Sequence, residues 1–331
     1  MTMPRIPFRC PETGAVLTAG PKGLLRADGR LYPWLQGCAG VPDFLSPADV
    51  GEGQRASLAM YDTAAATEMY RNFLDWLFAT CQQDEAAFRR DLAARLRLSP
   101  GQAALITGCG LGDDVPAILD MLGHAGEVHA QDLSAAMVAS ADVLWRRESP
   151  ARRGQLTLSV GDAAHLPYAD GAFDAAYHFG GINLYDDIGL GIAEMARVVR
   201  PGGRVVLGDE GLAPWLHGTD FAAMVIGNNP LWGRPAPIGL LPAAARDVSL
   251  CWVLANCFWV IEFTVGEGLP ALDPHVPHQG RRGGTMFTRH HGALEAVTPQ
   301  TRAQVHQAAA AAGLSLHDWL EQALAERLRK P

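Results

Sequence analysis

Three glycines, Gly108, Gly110 and Gly112, stand within five positions of the stretch LITGCGLGDDVP at 105–116. Glycine has no Cβ and accepts positive φ, so such a turn lets the backbone itself come close to a bound group. Twenty residues past Gly112, Asp132 stands in VHAQDLS, where a carboxylate can accept both hydroxyl hydrogens of a ribose. Asp162-Ala163, in VGDAAHLPYADGAFD, offers a carboxylate for an exocyclic amino group and a backbone amide for a ring nitrogen. Together these residues suit a ligand that carries a nucleoside. Each also has a plainer use: a tight turn, or a helix cap at Asp132, although Ser134 is better placed to cap. His178, Tyr185, Glu210 and His217 are groups able to take a proton, and a free histidine titrates near neutrality. A buried, purely structural role is equally open to His178.

These residues need a scaffold to bring them together. ALIT (104–107), EVHAQ (127–131), LTLSV (156–160), FDAAYHF (173–179) and RVVLG (204–208) read as strands, with VPAILDML, SAAMVASADVLWRRE and DIGLGIAEMARVV as helices between them. That alternation predicts βαβ units, hence an α/β fold with a parallel sheet covered on both faces. Ligands of such sheets lie at the carboxyl ends of the strands. CFWVIEFTV (257–265) and GTMFTRHHG (284–292) read as two further strands. Tyr61, Ala65, Met69, Phe73 and Leu77 recur every four residues, which predicts a helix from about Ser57, and DEAAFRRDLAARLRL predicts a second. Residues 1–50, punctuated by Pro and Gly, read as a small β appendage. Residues 293–331 read as a helical hairpin, with Gly313 ending one helix and Ser315 capping the next.

Composition narrows the function classes. A chain of 331 residues, 48% hydrophobic, can bury one large domain with appendages. A formal charge of -8 argues against a broad phosphate-tracking surface, so nucleic acid is not expected as a partner. The six cysteines form no CxxC pair, which predicts reduced thiols rather than a disulfide or zinc framework. MTMPRIPFRCP lacks the apolar stretch of a signal peptide, and LCWVLANCFWVI (250–261) is too short to span a bilayer. The expectation is a cytoplasmic protein without a membrane segment.

Up to Asp132 the pattern fits NAD or S-adenosylmethionine. The GxGxG spacing differs from the GxGxxG that packs a helix against a pyrophosphate, and Asp162-Ala163 and EMARVVRPGGRVVLGDEG complete a different set. In order, GCGLG, QDLS, GDAAHLPYADGAFD and RVVRPGGRVVL resemble the core of class I S-adenosylmethionine-dependent methyltransferases, of the ubiquinone/menaquinone-methyltransferase kind, over residues 101–212. The resemblance implies a Rossmann-like, seven-stranded, mostly parallel sheet in a domain spanning 51–292. Within it, 57–100 would be a helical lid and 213–292 the substrate roof and last strands. It implies S-adenosylmethionine as cofactor and S-adenosylhomocysteine as product. Gly108, Gly110 and Gly112 would lie at the methionine end, Asp132 with Leu133 at the ribose, Asp162 with Ala163 at the adenine, and His178 beside the methyl group. The family places an acid two residues before the first glycine, where this chain has Ile106. Asp113 and Asp114 could replace that charge or serve the following helix as caps.

Methyl transfer needs alignment above all, and a base only where the acceptor loses a proton. His178 is the first candidate base, with Tyr185, Glu210 and His217 as alternatives. Trp215, Phe221, Trp232, Trp252, Phe258 and Trp259 would roof the acceptor pocket, which predicts a small, apolar or aromatic acceptor methylated on oxygen or nitrogen. Arg281, Arg282 and Arg289 form a candidate anion site. Residues 8–45 resemble the zinc-ribbon-like activator of some tRNA and protein methyltransferases, with most metal cysteines missing. The tail resembles a ribbon-helix-helix unit whose strand, LEAV (294–297), offers no side chain for base edges, so pairing of two copies is its expected use. Two other functions remain open: methylation of RNA or protein, and a non-catalytic cofactor-sensing or DNA-binding regulator.

Overall fold

A computed structural model describes residues 5–329 except 46–49, 64, 280–283, 293 and 295–296. The chain divides into two compact units, 1–270 and 271–331.

In the first unit, β1 (Thr18–Gly20), β2 (Gly23–Leu25) and β3 (Leu31–Pro33) form a small antiparallel sheet. Helices α1 (Glu52–Tyr61), α2 (Ala66–Thr80) and α3 (Glu85–Ala94) follow. Then come β4 (Ala103–Thr107), α4 (Val115–Leu122), β5 (Glu127–Asp132), α5 (Ala135–Glu148), β6 (Leu156–Val160), β7 (Phe173–Phe179), α6 (Ile188–Val198), β8 (Val199–Glu210), α7 (Asp220–Asn228), β9 (Ala245–Val253) and β10 (Phe258–Val265). The large sheet has the order β6-β5-β4-β7-β8-β10-β9. Strands β4 to β8 pair in parallel, and β10 runs antiparallel to both β8 and β9. The strand order reverses between β4 and β7, so their carboxyl ends diverge into a crevice.

The sheet has two apolar faces. Ala104, Ile106, Val128, Ala130 and Tyr177 pack on one face with residues of α2 to α5, and Leu105, Phe173, Ala176, Val205 and Leu207 pack on the other with α6. The small β piece is continuous with this second core: Phe8 packs at a tilt against both Phe44 and Tyr168. Backbone bonds Phe44 N to Val160 O (2.9 Å) and Val160 N to Pro42 O (3.0 Å) add one rung beyond β6. Its two thiols, Cys10 and Cys38, are buried and unbridged.

Three expectations need correction. The strand predicted at 284–292 is replaced by helix α8 (Met286–His291), because the Thr285 hydroxyl accepts from Thr288 N and caps a helical turn. The seventh strand is β9 instead. It is joined to β10 by Leu254, Ala255 and Asn256, all in left-handed conformation, so the apolar run 250–261 is a hairpin folded on itself. The helix expected from Ser57 begins at Glu52 and breaks after Tyr61, where Asp62 leaves the helix to bond elsewhere.

The second unit contains α8, α9 (Pro299–Ala311) and α10 (Leu316–Arg329). Gly313 adopts positive φ, and the Ser315 hydroxyl accepts from Asp318 N at 3.1 Å, the predicted stop and start. Residues 295–296 of the expected LEAV strand, and Arg281 and Arg282, lie outside the described residues. Among the described residues, no helix is long and apolar enough to cross a membrane.

Candidate active site

At the carboxyl end of β4 the chain turns through Gly108, Cys109 and Gly110, and both glycines have positive φ. A Cβ on Gly108 would stand 2.8 Å from His178 Cε1, so only glycine lets this loop rest against the imidazole. The loop is braced from β5: Asp132 Oδ2 accepts from Gly110 N at 2.8 Å, and Oδ1 accepts from Ser134 N at 2.9 Å. Burial raises the Asp132 pKa, while these backbone donors oppose that rise. Ser134, as expected, caps α5, accepting from Met137 N at 3.1 Å.

Two aspartates tie α1 across the crevice. Asp62 Oδ1 accepts from Ala136 N at 2.7 Å and lies 3.1 Å from the Ser134 hydroxyl, while that hydroxyl lies 2.9 Å from Tyr61 O. At the other end of α1, Gly53 N donates to Asp186 Oδ1 at 2.8 Å.

After β6, Asp162 Oδ1 accepts from Ala164 N at 2.9 Å and Oδ2 lies 3.1 Å from His165 Nδ1. Near the end of β7, His178 is fully buried, with Nδ1 2.8 Å from Thr107 O, 3.1 Å from Thr107 Oγ1 and 3.4 Å from the Tyr185 hydroxyl. Donation to the carbonyl assigns the proton to Nδ1. Nε2 has no hydrogen-bond partner among the described residues. Burial pushes the His178 pKa down to about 4, so the ring is neutral at pH 7.

At the end of β8, Asp209 is fully buried and accepts from Asn183 N (2.6 Å) and Glu210 N (2.7 Å). Burial pushes its pKa up to about 6. Glu210 is pushed up to about 7, by burial first and then by the Asp209 charge, and its Oε1 accepts from Asn229 Nδ2 at 2.9 Å.

These groups share one cavity of about 400 Å³. Gly108, Gly110, Asp132, Leu133, Asp162, Ala163, His178, Tyr185 and Glu210 all line it. Gly112, Asp113 and His217 lie outside its wall. Asp113 pairs with Arg71 at 2.8 Å and Asp114 with Arg89 at 2.8 Å, so both carboxylates already face a guanidinium. Arg89 itself reaches the cavity wall. Ile106 is buried among Ala104, Val128 and Ala130.

The aromatic roof is also corrected. Of the six residues named for it, Phe258 alone lines the cavity. Strand alternation turns Trp259 into the opposite core, Trp232 packs behind Phe258, and Trp215 is 63% exposed. The roof comes from α1 and α2 instead, through Leu58, Tyr61, Tyr70, Phe73 and Phe78. These residues fall in the stretch where a helical lid is expected, although of the four-residue series itself only Leu77 is buried, with Met69 and Phe73 exposed. Asp209, Asn229, Arg89 and Gln131, which also line the cavity, carry no signal in spacing.

A methyltransferase-domain family model matches residues 104–203. An O-methyltransferase, resE, of Aspergillus sclerotiorum is 31% identical over 171 residues, which are 49% of this chain and 61% of that protein. A demethylmenaquinone methyltransferase of Beutenbergia cavernae is 34% identical over 128 residues, 39% of this chain and 49% of the relative. The matches thus span between about half and three fifths of those relatives. In solved structures, phosphoethanolamine N-methyltransferase 2 of Haemonchus contortus, in complex with S-adenosyl-L-methionine, aligns with a TM-score of 0.52 at 15% identity, covering 68% of this chain and 62% of that one. At that identity the likeness speaks for the fold.

Proposed function

From the premise that this chain carries a class I S-adenosylmethionine-dependent methyltransferase domain, we propose that it transfers a methyl group from S-adenosylmethionine to an oxygen or nitrogen of a small, apolar or aromatic acceptor. The observation that carries this reading is a single cavity with two unlike ends. One end has the braced glycine loop, Asp132 and Asp162-Ala163; the other joins an apolar roof to Glu210 and Asn229.

The cofactor's groups fit the residues present. Asp132 would take the ribose hydroxyls with lone pairs left over from Gly110 N and Ser134 N, Leu133 would pack on the base, and Asp162 with the Ala163 amide would face the adenine. The Gly108–Gly110 backbone and Arg89 would receive the methionine end. Asp113 and Asp114 would hold Arg71 and Arg89 in place rather than touch the cofactor. When bound, S-adenosylmethionine supplies an electrophilic methyl carbon on a sulfonium.

The chain's own residues then exclude water, align the acceptor and accept its proton. Glu210 is the base in this reading, because a carboxylate of pKa about 7 works well near neutral pH. His178, held by Thr107 and neutral, would position the loop and the Tyr185 ring beside the reacting atoms.

Isothermal titration with S-adenosylhomocysteine tests the reading. Wild-type protein should bind, and Asp132→Ala should bind at least tenfold more weakly, having lost ribose contacts and the brace on Gly110. Absence of binding by the wild type sinks the assignment.

The unbridged thiols support a reducing, cytoplasmic setting. Exposed Leu324 and Leu328 on α10 support pairing of two copies through the C-terminal hairpin.

A further inference from the structure

A carboxylate base works only if one of its oxygens is presented to the acceptor in a fixed orientation. The main chain of Glu210 is clamped: its N donates to Asp209 Oδ1 at 2.7 Å, and its O accepts from Asn183 Nδ2 at 2.8 Å and from Trp259 Nε1 at 3.1 Å. Its carboxyl has one tether. Asn229 Nδ2 donates to Oε1 at 2.9 Å, and among the described residues no other side chain stands in hydrogen-bond geometry to that carboxyl. The Trp232 indole also favours the ionised form, although its Nε1 makes no hydrogen bond of good geometry.

Asn229 is itself held from two sides. Pro230 follows it and keeps it extended, at φ -143° and ψ 110°, while its N–H closes α7 on Val225 O at 3.1 Å. There the side-chain Oδ1 accepts from Leu231 N at 3.0 Å. With its oxygen committed to that amide, Nδ2 is turned to Glu210; the flipped amide would set donor against donor and oxygen against carboxylate. A cap for Leu231 N asks only for an acceptor, which aspartate supplies as well. Asparagine adds the N–H toward Glu210. The carboxyl also faces Asp209 on its own strand, whose charge opposes ionisation, and the Tyr61 phenol from α1, while Arg234 favours the charge on Asp209.

We propose that Asn229 is the positioning residue of the base: its Nδ2 holds Oε1 of Glu210 and leaves Oε2 to receive the acceptor's proton. This rests on the reading of Glu210 above.

The experiment follows the Glu210 carboxyl carbon by NMR in the full chain, labelled with glutamate enriched at that carbon, the resonance missing from Glu210→Gln being its own. Each protein is also titrated with S-adenosylhomocysteine. In the wild type the carboxyl should titrate near pH 7. Asn229→Ala should move the midpoint up by about one unit, because the lost donor favoured the charged form. Asn229→Asp keeps an acceptor for Leu231 N, so a mere cap would be replaced without effect. Here its midpoint should rise at least as far, since a second carboxylate then faces the first. Both variants should bind S-adenosylhomocysteine within about threefold of the wild type, since Asn229 lies at the other end of the cavity. A midpoint that stays put in either variant, or a shift accompanied by loss of S-adenosylhomocysteine binding, overturns the proposal and leaves Glu210 as the base. A wild-type carboxyl that titrates in the ordinary glutamate range, about pH 4, removes the base and its positioning together.

Discussion

Burial acts on Glu210 and His178 in opposite directions because it favours the uncharged form of each, so the carboxyl rises to about 7 and the imidazole falls to about 4. That difference separates the two candidate bases. With Glu210 as the base, kcat/KM for a phenolic acceptor should climb with pH through about 7, as the carboxylate forms. Glu210→Gln should lower it roughly hundredfold and flatten the climb, as read from a pH-rate profile. An inflection near pH 4 that survives in Glu210→Gln would instead assign the proton to His178. Ile106, at the position where the resemblance implies an acid, is a core residue, and the nearby Asp113 and Asp114 are committed to Arg71 and Arg89.

Among the elements, α1 holds the roof in place through its two ends. Asp62 leaves the helix at its carboxyl end and caps α5 from outside, while Asp186 receives the Gly53 amide at the amino end. Removing the first anchor by Asp62→Ala should cost about 1 kcal/mol, the usual worth of a lost cap, and lower the melting temperature by roughly 2–4 °C. The same variant should bind S-adenosylhomocysteine several-fold more weakly, because Leu58 and Tyr61 would no longer be held over the cavity. Differential scanning and titration calorimetry measure the two effects; a stability loss with unaltered affinity would make Asp62 a cap and nothing more. The break between α1 and α2 is invisible to periodicity, since the four-residue spacing of Tyr61, Ala65 and Met69 runs straight through it. Only the α5 amino terminus, 74 residues on from Asp62, supplies the partner that ends the helix there.

For the whole molecule, the division at residue 270 leaves every cavity-lining residue, from Gln54 to Phe258, in the first unit. A chain ending at Pro270 should therefore keep its S-adenosylhomocysteine affinity within about twofold. If the hairpin pairs two copies, light scattering should show the full chain as a dimer and the shortened chain as a monomer; equal masses per chain would remove the pairing. The small N-terminal sheet belongs to the other side of that division, because the Pro42–Phe44 rung and the Phe8–Phe44–Tyr168 cluster make it part of one core with the large sheet.

By itself the sequence determined the α/β alternation, four of the five parallel strands nearly to the residue, the fifth only in its middle because β8 runs through the Pro-Gly-Gly turn from Val199 to Glu210, and the strand ends and loops that bring Gly108, Asp132, Asp162 and His178 to the carboxyl side of the sheet. Those features are local: apolar runs of strand length, glycines in a turn, and caps are written in neighbouring residues. It misplaced one strand and the aromatic part of the roof because their partners are distant. GTMFTRHHG has enough apolar and β-branched residues for a strand, yet the Thr285 cap and the hairpin at 254–256 gave the last sheet position to β9. Side-chain ionisation was likewise beyond reach, since burial is a property of the assembled cavity. Tertiary structure alone set Glu210 near neutrality, brought Asn229 to its carboxyl, and matched Asp113 and Asp114 with arginines from α2 and α3.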